Sequence, residues 1–267
     1  MEQNRIGRKW PYTLGRVLLF CLACAIALIL SSVLTKGLPV TWQPILSVAA
    51  AGSTAFLLTL LFVRWEGISL LDVGVLPGRH TLLRLLSGLL IGSVLAALQT
   101  FAVSMTGHLT LVLNPGIAYG GILINLLLYI AVACREEVAF RGYPLQSLNK
   151  IIGSWGAQLI VAVIFIAEHA AGGMIWWQAI LGPGIGALLF GMAAIRTKGI
   201  ALPIGLHIAW NFGQWALGFK DGAGIYQTVI EKGYETRVEQ AGWLSYMAVM
   251  ALAIAALYLW KRDTAAV

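Results

Sequence analysis

The sequence predicts an all-α protein, a polytopic transmembrane helical bundle of about eight spans that forms a single membrane domain over residues 1–267. Three observations carry that reading. Hydrophobic residues make up 59% of the chain and charged residues 11%, at a mean hydropathy of +0.84, whereas soluble chains carry about 25% charged residues. Apolar windows of about 20 residues, the length that crosses a bilayer, recur from end to end. The few charges sit in short gaps between those windows or, in a handful of cases, inside them.

Residues 1–16 are a basic lead with Trp10 and Tyr12 as interfacial anchors. Span 1, over 15–35, is too long for a signal-peptide core and lacks a small-x-small cleavage site. Lys36, Pro39 and Trp42 mark a loop before span 2 at 44–63, and the polar connection 64–82 has room for a short surface helix. Span 3 covers 83–106 and is followed by an uncharged loop with His108, Asn114, Pro115 and Gly116. Span 4 starts near Gly121 and runs past Arg135 to Leu148, with a kink expected at Pro144 and a turn at Asn149, Lys150 and Gly153. Span 5 takes 155–170, span 6 takes 176–195, and span 7 takes 200–218, entered through Pro203. The polar segment 219–242 precedes span 8 at 243–260, which Lys261 and Arg262 close.

Charge placement orients this bundle. With the N-terminus inside, twelve basic residues fall on the cytoplasmic side, among them Arg64, Arg79, Arg84, Lys150, Arg196 and Lys198. Four fall opposite: Lys36, Lys220, Lys232 and Arg237. The positive-inside rule then puts both termini in the cytoplasm. The net charge of +7 needs no nucleic-acid partner, because basic residues gather at anionic headgroups. Cys21, Cys24 and Cys134 all lie in apolar segments and read as packing residues, with no disulfide framework.

Chemistry concentrates in Arg135-Glu136-Glu137-Val138-Ala139-Phe140-Arg141-Gly142. A charge within a spanning helix costs about 3 kcal/mol or more, so such residues face inward and are usually functional. Glu137 and Arg141, four apart, share a face and can pair. Glu136 is turned about 100° away and shares its face with Phe140. Glu137 and Arg141 therefore read as a brace, and Glu136 as the carboxylate left for chemistry. A polar seam that only joins helices, or a helix end at the cytoplasmic surface, would have the same composition.

Two further spans bring polar groups. His169 shares a face with Phe165 in span 5, and His207 shares one with Asn211 in span 7. Glu136 lies 17 residues before Gly153 and His169 lies 16 after it, so a hairpin brings them to similar depth at about 1.5 Å per residue. Glu136, His169, His207 and Asn211 can thus line one polar cavity between spans 4, 5 and 7, expected to open towards the cytoplasm.

Glu136-Glu137-x-x-Phe140-Arg141-Gly142, Phe165-x-x-x-His169 and His207-x-x-x-Asn211 resemble the three ordered motifs of the CAAX protease and bacteriocin-processing (CPBP) family. That family includes the type II CAAX prenyl endopeptidases. The approach to the third motif, Gly186 to Gly191 and Ile204 to His207, is similar as well, and the resemblance covers about 121–217. It implies intramembrane hydrolysis of peptide bonds in membrane-associated or lipidated proteins without a covalent intermediate. Glu136 would be general base on a water, His169 would help to hold that water, and His207 and Asn211 would stabilise the oxyanion. Glu137, Arg141, Phe140 and Phe165 would support them, and no cofactor is required. Arg135 and Glu168 have no counterpart in the pattern.

Glu136, His169 and His207 are also the ligand types of a two-histidine, one-carboxylate zinc site, although no His-Glu-x-x-His pair is present. Intramembrane charges occur in transporters and channels too, but the chain has no internal repeat. A non-catalytic immunity or scaffold protein of the same fold is the remaining alternative, at odds with a full set of motif residues. The short loops point to a bacterial plasma membrane.

Overall fold

Every backbone polar group inside a bilayer must be satisfied within the protein, and helices do this segment by segment. The computed structural model, which describes residues 2–220 and 224–260, is built that way. The long helices are α1 (Glu2–Leu34), α2 (Gln43–Glu66), α3 (Thr81–Ser104) and α4 (Tyr119–Glu136). A π-helical segment, Glu137–Gly142, joins α4 to α5 (Tyr143–Ala171). The short α6 (Trp176–Ala179) and a second π segment, Ile180–Gly184, lead into α7 (Ile185–Thr197), α8 (Ala201–Ala216) and α9 (Glu235–Leu259).

Six helical stretches among the described residues are long and apolar enough to cross a membrane, and the protein is a multi-pass integral membrane protein. One of the six, Tyr119–Ala171, is 53 residues long and is interrupted at Gly153 (φ 76°, ψ 172°), a conformation suited to glycine. Phe140 meets Phe165 edge-on at 4.9 Å across that break, so the stretch folds back as a hairpin. The sixteen-residue α8 falls short of a full bilayer crossing at about 1.5 Å per residue. Lys261 and Arg262, expected to close the last span, lie outside the described residues.

The α3–α8 crossing fixes the helix that carries His207. Gly88 and Gly92 of α3 lie against the Leu202, Gly205 and Leu206 backbone, and a methyl on Gly205 would sit 2.2 Å from the Leu85 carbonyl oxygen. Small residues permit this approach, and packing rather than hydrophobicity drives helices together in lipid.

The bundle has two distinct ends. At one, Lys150 pairs with Asp72 at 2.9 Å, and the Gly74 carbonyl accepts from the Ile200 N–H. At the other, β1 (Leu109–Leu113) and β2 (Tyr226–Ile230) form an antiparallel pair in which Leu109 faces Ile230 and Leu113 faces Tyr226. By sequence alone both segments read as loop. The β-branched residues Thr110, Val112, Thr228, Val229 and Ile230 favour the extended form.

Candidate active site

Pro144 has no N–H to give the Phe140 carbonyl and its ring crowds that oxygen, so a regular helix cannot run through it. The kink expected at Pro144 is instead absorbed one turn earlier, where Glu137–Gly142 widens into a π-helix. Such bulges recur at functional sites. Here the bulge carries Glu137 and Arg141 and begins directly after Arg135 and Glu136, the last two residues of α4; the second one, Ile180–Gly184, contains Pro183 itself.

Glu137 and Arg141 are fully buried, with Arg141 Nη1 at 3.4 Å from Glu137 Oε1. The guanidinium sits over the rings of Phe165 at 4.6 Å, Phe190 at 5.5 Å and Phe140 at 5.9 Å. Aromatic faces attract a desolvated cation, which compensates for guanidinium nitrogens that make no hydrogen bond to described residues. The same Glu137 Oε1 accepts from His207 Nδ1 at 2.8 Å. Glu137 therefore serves the helix and the histidine at once.

Glu136 faces the other way. Its Oε2 lies 3.8 Å from His207 Nε2, too far for a direct hydrogen bond and within reach of a bridging water. Its Oε1 is 3.5 Å from Arg135 Nη1, and Arg135 Nη2 donates to Glu168 Oε1 across the hairpin. The two charges without a motif counterpart thus pair with each other beside Glu136.

Both histidines are held through Nδ1. His169 Nδ1 lies 2.9 Å from the Phe165 carbonyl oxygen; a carbonyl only accepts, so Nδ1 carries the proton and Nε2 is left over. His207 stacks on Phe190 at 4.6 Å and 15°, with Nδ1 engaged by Glu137. Asn211 Oδ1 accepts from Lys220 Nζ at 3.0 Å.

Glu136, His169, His207 and Asn211 line one cavity of about 730 Å³, together with Phe165. Glu137 and Arg141 do not line it, and Phe140 packs behind it at 1% exposure. Helices α4, α5 and α8 form its polar wall, while Trp210, Trp243 and Tyr246 give it an apolar one. The expectation that it opens towards the cytoplasm does not fit the expected topology. Leu109, Phe219, Lys220, Thr228 and Ile230 also line it, and these belong to the end with the strands, opposite Lys150 and Gly74.

Sequence reasoning missed Lys220, Gln99 and Gln214. Gln214 continues the His207–Asn211 face at the next helical step, a signal available in the sequence. Its Nε2 donates to Gln99 Oε1 at 2.7 Å. Among the described residues, no group of three or more His, Cys, Asp or Glu side chains is placed to hold a metal ion.

Residues 118–213 match the Rce1-like type II CAAX prenyl endopeptidase family. This is the family that the three motifs resemble, and the matched residues contain all of them. No curated protein matches the chain. The match supports a CAAX-type intramembrane protease in general terms. It takes in the charged bulge, the hairpin and α8 as far as Gly213; α1 to α3, both strands and α9 lie outside it.

Proposed function

We propose that this protein is an intramembrane endopeptidase in which Glu136 activates a water to attack a peptide carbonyl. Glu136 takes a proton from the water as the oxygen bonds to the carbonyl carbon, and the carbonyl electrons move onto oxygen. The Asn211 amide and His207, with its Nε2 protonated, donate to that oxyanion. His169 Nε2 accepts from the water and holds it. As the intermediate collapses, the C–N bond breaks and Glu136 returns the proton to the leaving amine. A preorganised donor of this kind is worth about 10²–10³-fold in kcat.

The observation that carries this reading is the division between neighbours. Glu136, His169, His207 and Asn211 share a cavity, whereas Glu137 and Arg141 are sealed behind it. The substrates proposed are membrane-associated or lipidated peptides, which suit the apolar wall. Glu136→Gln should abolish cleavage of a prenylated peptide with a CAAX tail; unchanged cleavage refutes the proposal.

One observation favours a zinc-dependent variant of the same activity. Both histidines keep Nε2 free while an acceptor holds Nδ1, the arrangement common around metal-bound imidazoles. The glutamate reading is preferred because the Arg135 guanidinium already stands beside Glu136, where a second cation would be repelled. Both termini are proposed to lie in the cytoplasm of a bacterial cell. A reporter active only inside should then work when fused at Lys198 and stay silent at Glu231.

A further inference from the structure

We infer that Lys220, outside the matched family core, is a positioning residue that fixes the amide of Asn211 as an oxyanion donor; this rests on the function proposed above. Lys220 is placed by the way the chain leaves α8. Gly218 adopts φ 80°, its N–H donates to the Trp215 carbonyl, and the Phe219 N–H donates to the Gln214 carbonyl. Those two bonds around a left-handed glycine form a Schellman turn, which reverses the chain over the helix it has just left. The turn is held from outside as well, since a methyl on Gly218 would lie 2.6 Å from the Tyr226 carbonyl oxygen of β2.

The reversal returns Lys220 to the cavity, where its ammonium lies 5.1 Å from the Tyr129 ring of α4 and 3.0 Å from Asn211. An ammonium carries three donors and no acceptor, so the amide atom it faces must be the oxygen. That contact settles the orientation of a group whose oxygen and nitrogen are otherwise interchangeable. With Oδ1 committed to Lys220, the NH₂ group is the part of Asn211 left to meet a reacting carbonyl. An asparagine free to flip would present its oxygen part of the time and repel the oxyanion. Lys220 does not touch the reacting atoms in this scheme; it acts through Asn211.

The test is a double-mutant cycle on the full chain in detergent, with a prenylated CAAX-tailed peptide as probe and enzyme in excess so that slow variants can be read. Lys220→Met should lower the cleavage rate about tenfold or more, towards the loss of about 10²-fold expected for removing an oxyanion donor. KM and the melting temperature should be nearly unchanged. In an Asn211→Ala background the same substitution should add nothing. A full, multiplicative loss in that background overturns the inference, as does a rise in KM with kcat intact, which would place the ammonium on the substrate. Asn211→Ala slow and Lys220→Met normal also overturns it and leaves the proposed function standing. Asn211→Ala as fast as wild type defeats the oxyanion reading itself, and the role of Lys220 with it.

Discussion

Glu137 Oε1 accepts a 2.8 Å hydrogen bond from His207 Nδ1, although the two residues lie 70 positions apart and on different helices. The same oxygen is 3.4 Å from Arg141. A carboxylate that looks like a helix brace when its own helix is considered alone is therefore also what orients a histidine of the cavity. Accepting at Nδ1 directs Nε2 towards Glu136, and the neighbouring glutamates address opposite edges of one imidazole ring.

Placing that ring depends on how closely α8 approaches α3. At Gly205, an added methyl would meet the Leu85 carbonyl oxygen at 2.2 Å and the Leu89 nitrogen at 2.8 Å. Both are backbone atoms and cannot rotate away. Gly205→Ala should cost at least the roughly 1–3 kcal/mol of overpacking and reduce cleavage by displacing His207. Gly121→Ala, whose methyl meets nothing within 4 Å, should leave melting in detergent unchanged. Equal melting of the two variants would mean that the α3–α8 contact does not hold α8 in place.

Chelation separates the two chemistries considered for the cavity. Under glutamate catalysis, cleavage survives a strong zinc chelator and purified protein carries no stoichiometric zinc. Activity lost to the chelator and restored by zinc alone would assign Glu136, His169 and His207 as ligands instead.

At the opposite end of the bundle, Asp72 ties the loop after α2 to the hairpin. Its carboxylate pairs with Lys150 at 2.9 Å and accepts from the Ser69 N–H and hydroxyl at 2.8 and 2.7 Å. These contacts, led by Lys150, hold its pKa well below the usual carboxylate range. A depressed folded pKa stabilises above the unfolded value of about 3.9 and loses that contribution as pH falls below it. Because the pair is exposed, Asp72→Asn should cost no more than about 1 kcal/mol at neutral pH. Melting curves of the two proteins should begin to converge as pH drops below about 4 and meet only as it falls through the depressed folded-state pKa; a gap that does not narrow over that descent would rule out a charge effect.

Much of this arrangement was legible in the sequence. Helical spacing gave the Glu137–Arg141 pair, and counting residues on either side of Gly153 brought the segments of Glu136 and His169 together. The same count brings Arg135 near Glu168, a pair that no motif marks. The Glu137–His207 contact was not legible, since helical periodicity describes neighbours within a helix and says nothing of its partner. Lys220 was hidden for another reason. A polar segment after a span reads as solvent-facing loop, and only the left-handed turn at Gly218 sends it back. The two strands are not legible because five-residue runs between long apolar helices give a weak alternation signal.

The neighbouring glutamates should fail in different ways. In Glu136→Gln the base is lost, but Arg135 retains Glu168 as counter-ion, so cleavage should vanish with little change in melting. In Glu137→Gln a fully buried Arg141 loses its carboxylate, and breaking such a pair typically costs about 3–5 kcal/mol. That variant should melt early and lose activity as it unfolds. Adding Arg141→Met to Glu137→Gln removes the orphan cation and should recover folding. Turnover should recover only in part, because the amide oxygen of glutamine can still accept from His207 Nδ1 but carries no charge. Thermal stability in detergent, measured beside peptide turnover for all three proteins, decides the matter. Destabilisation by Glu136→Gln with none by Glu137→Gln would exchange the two roles, making Glu137 the base and Glu136 the brace.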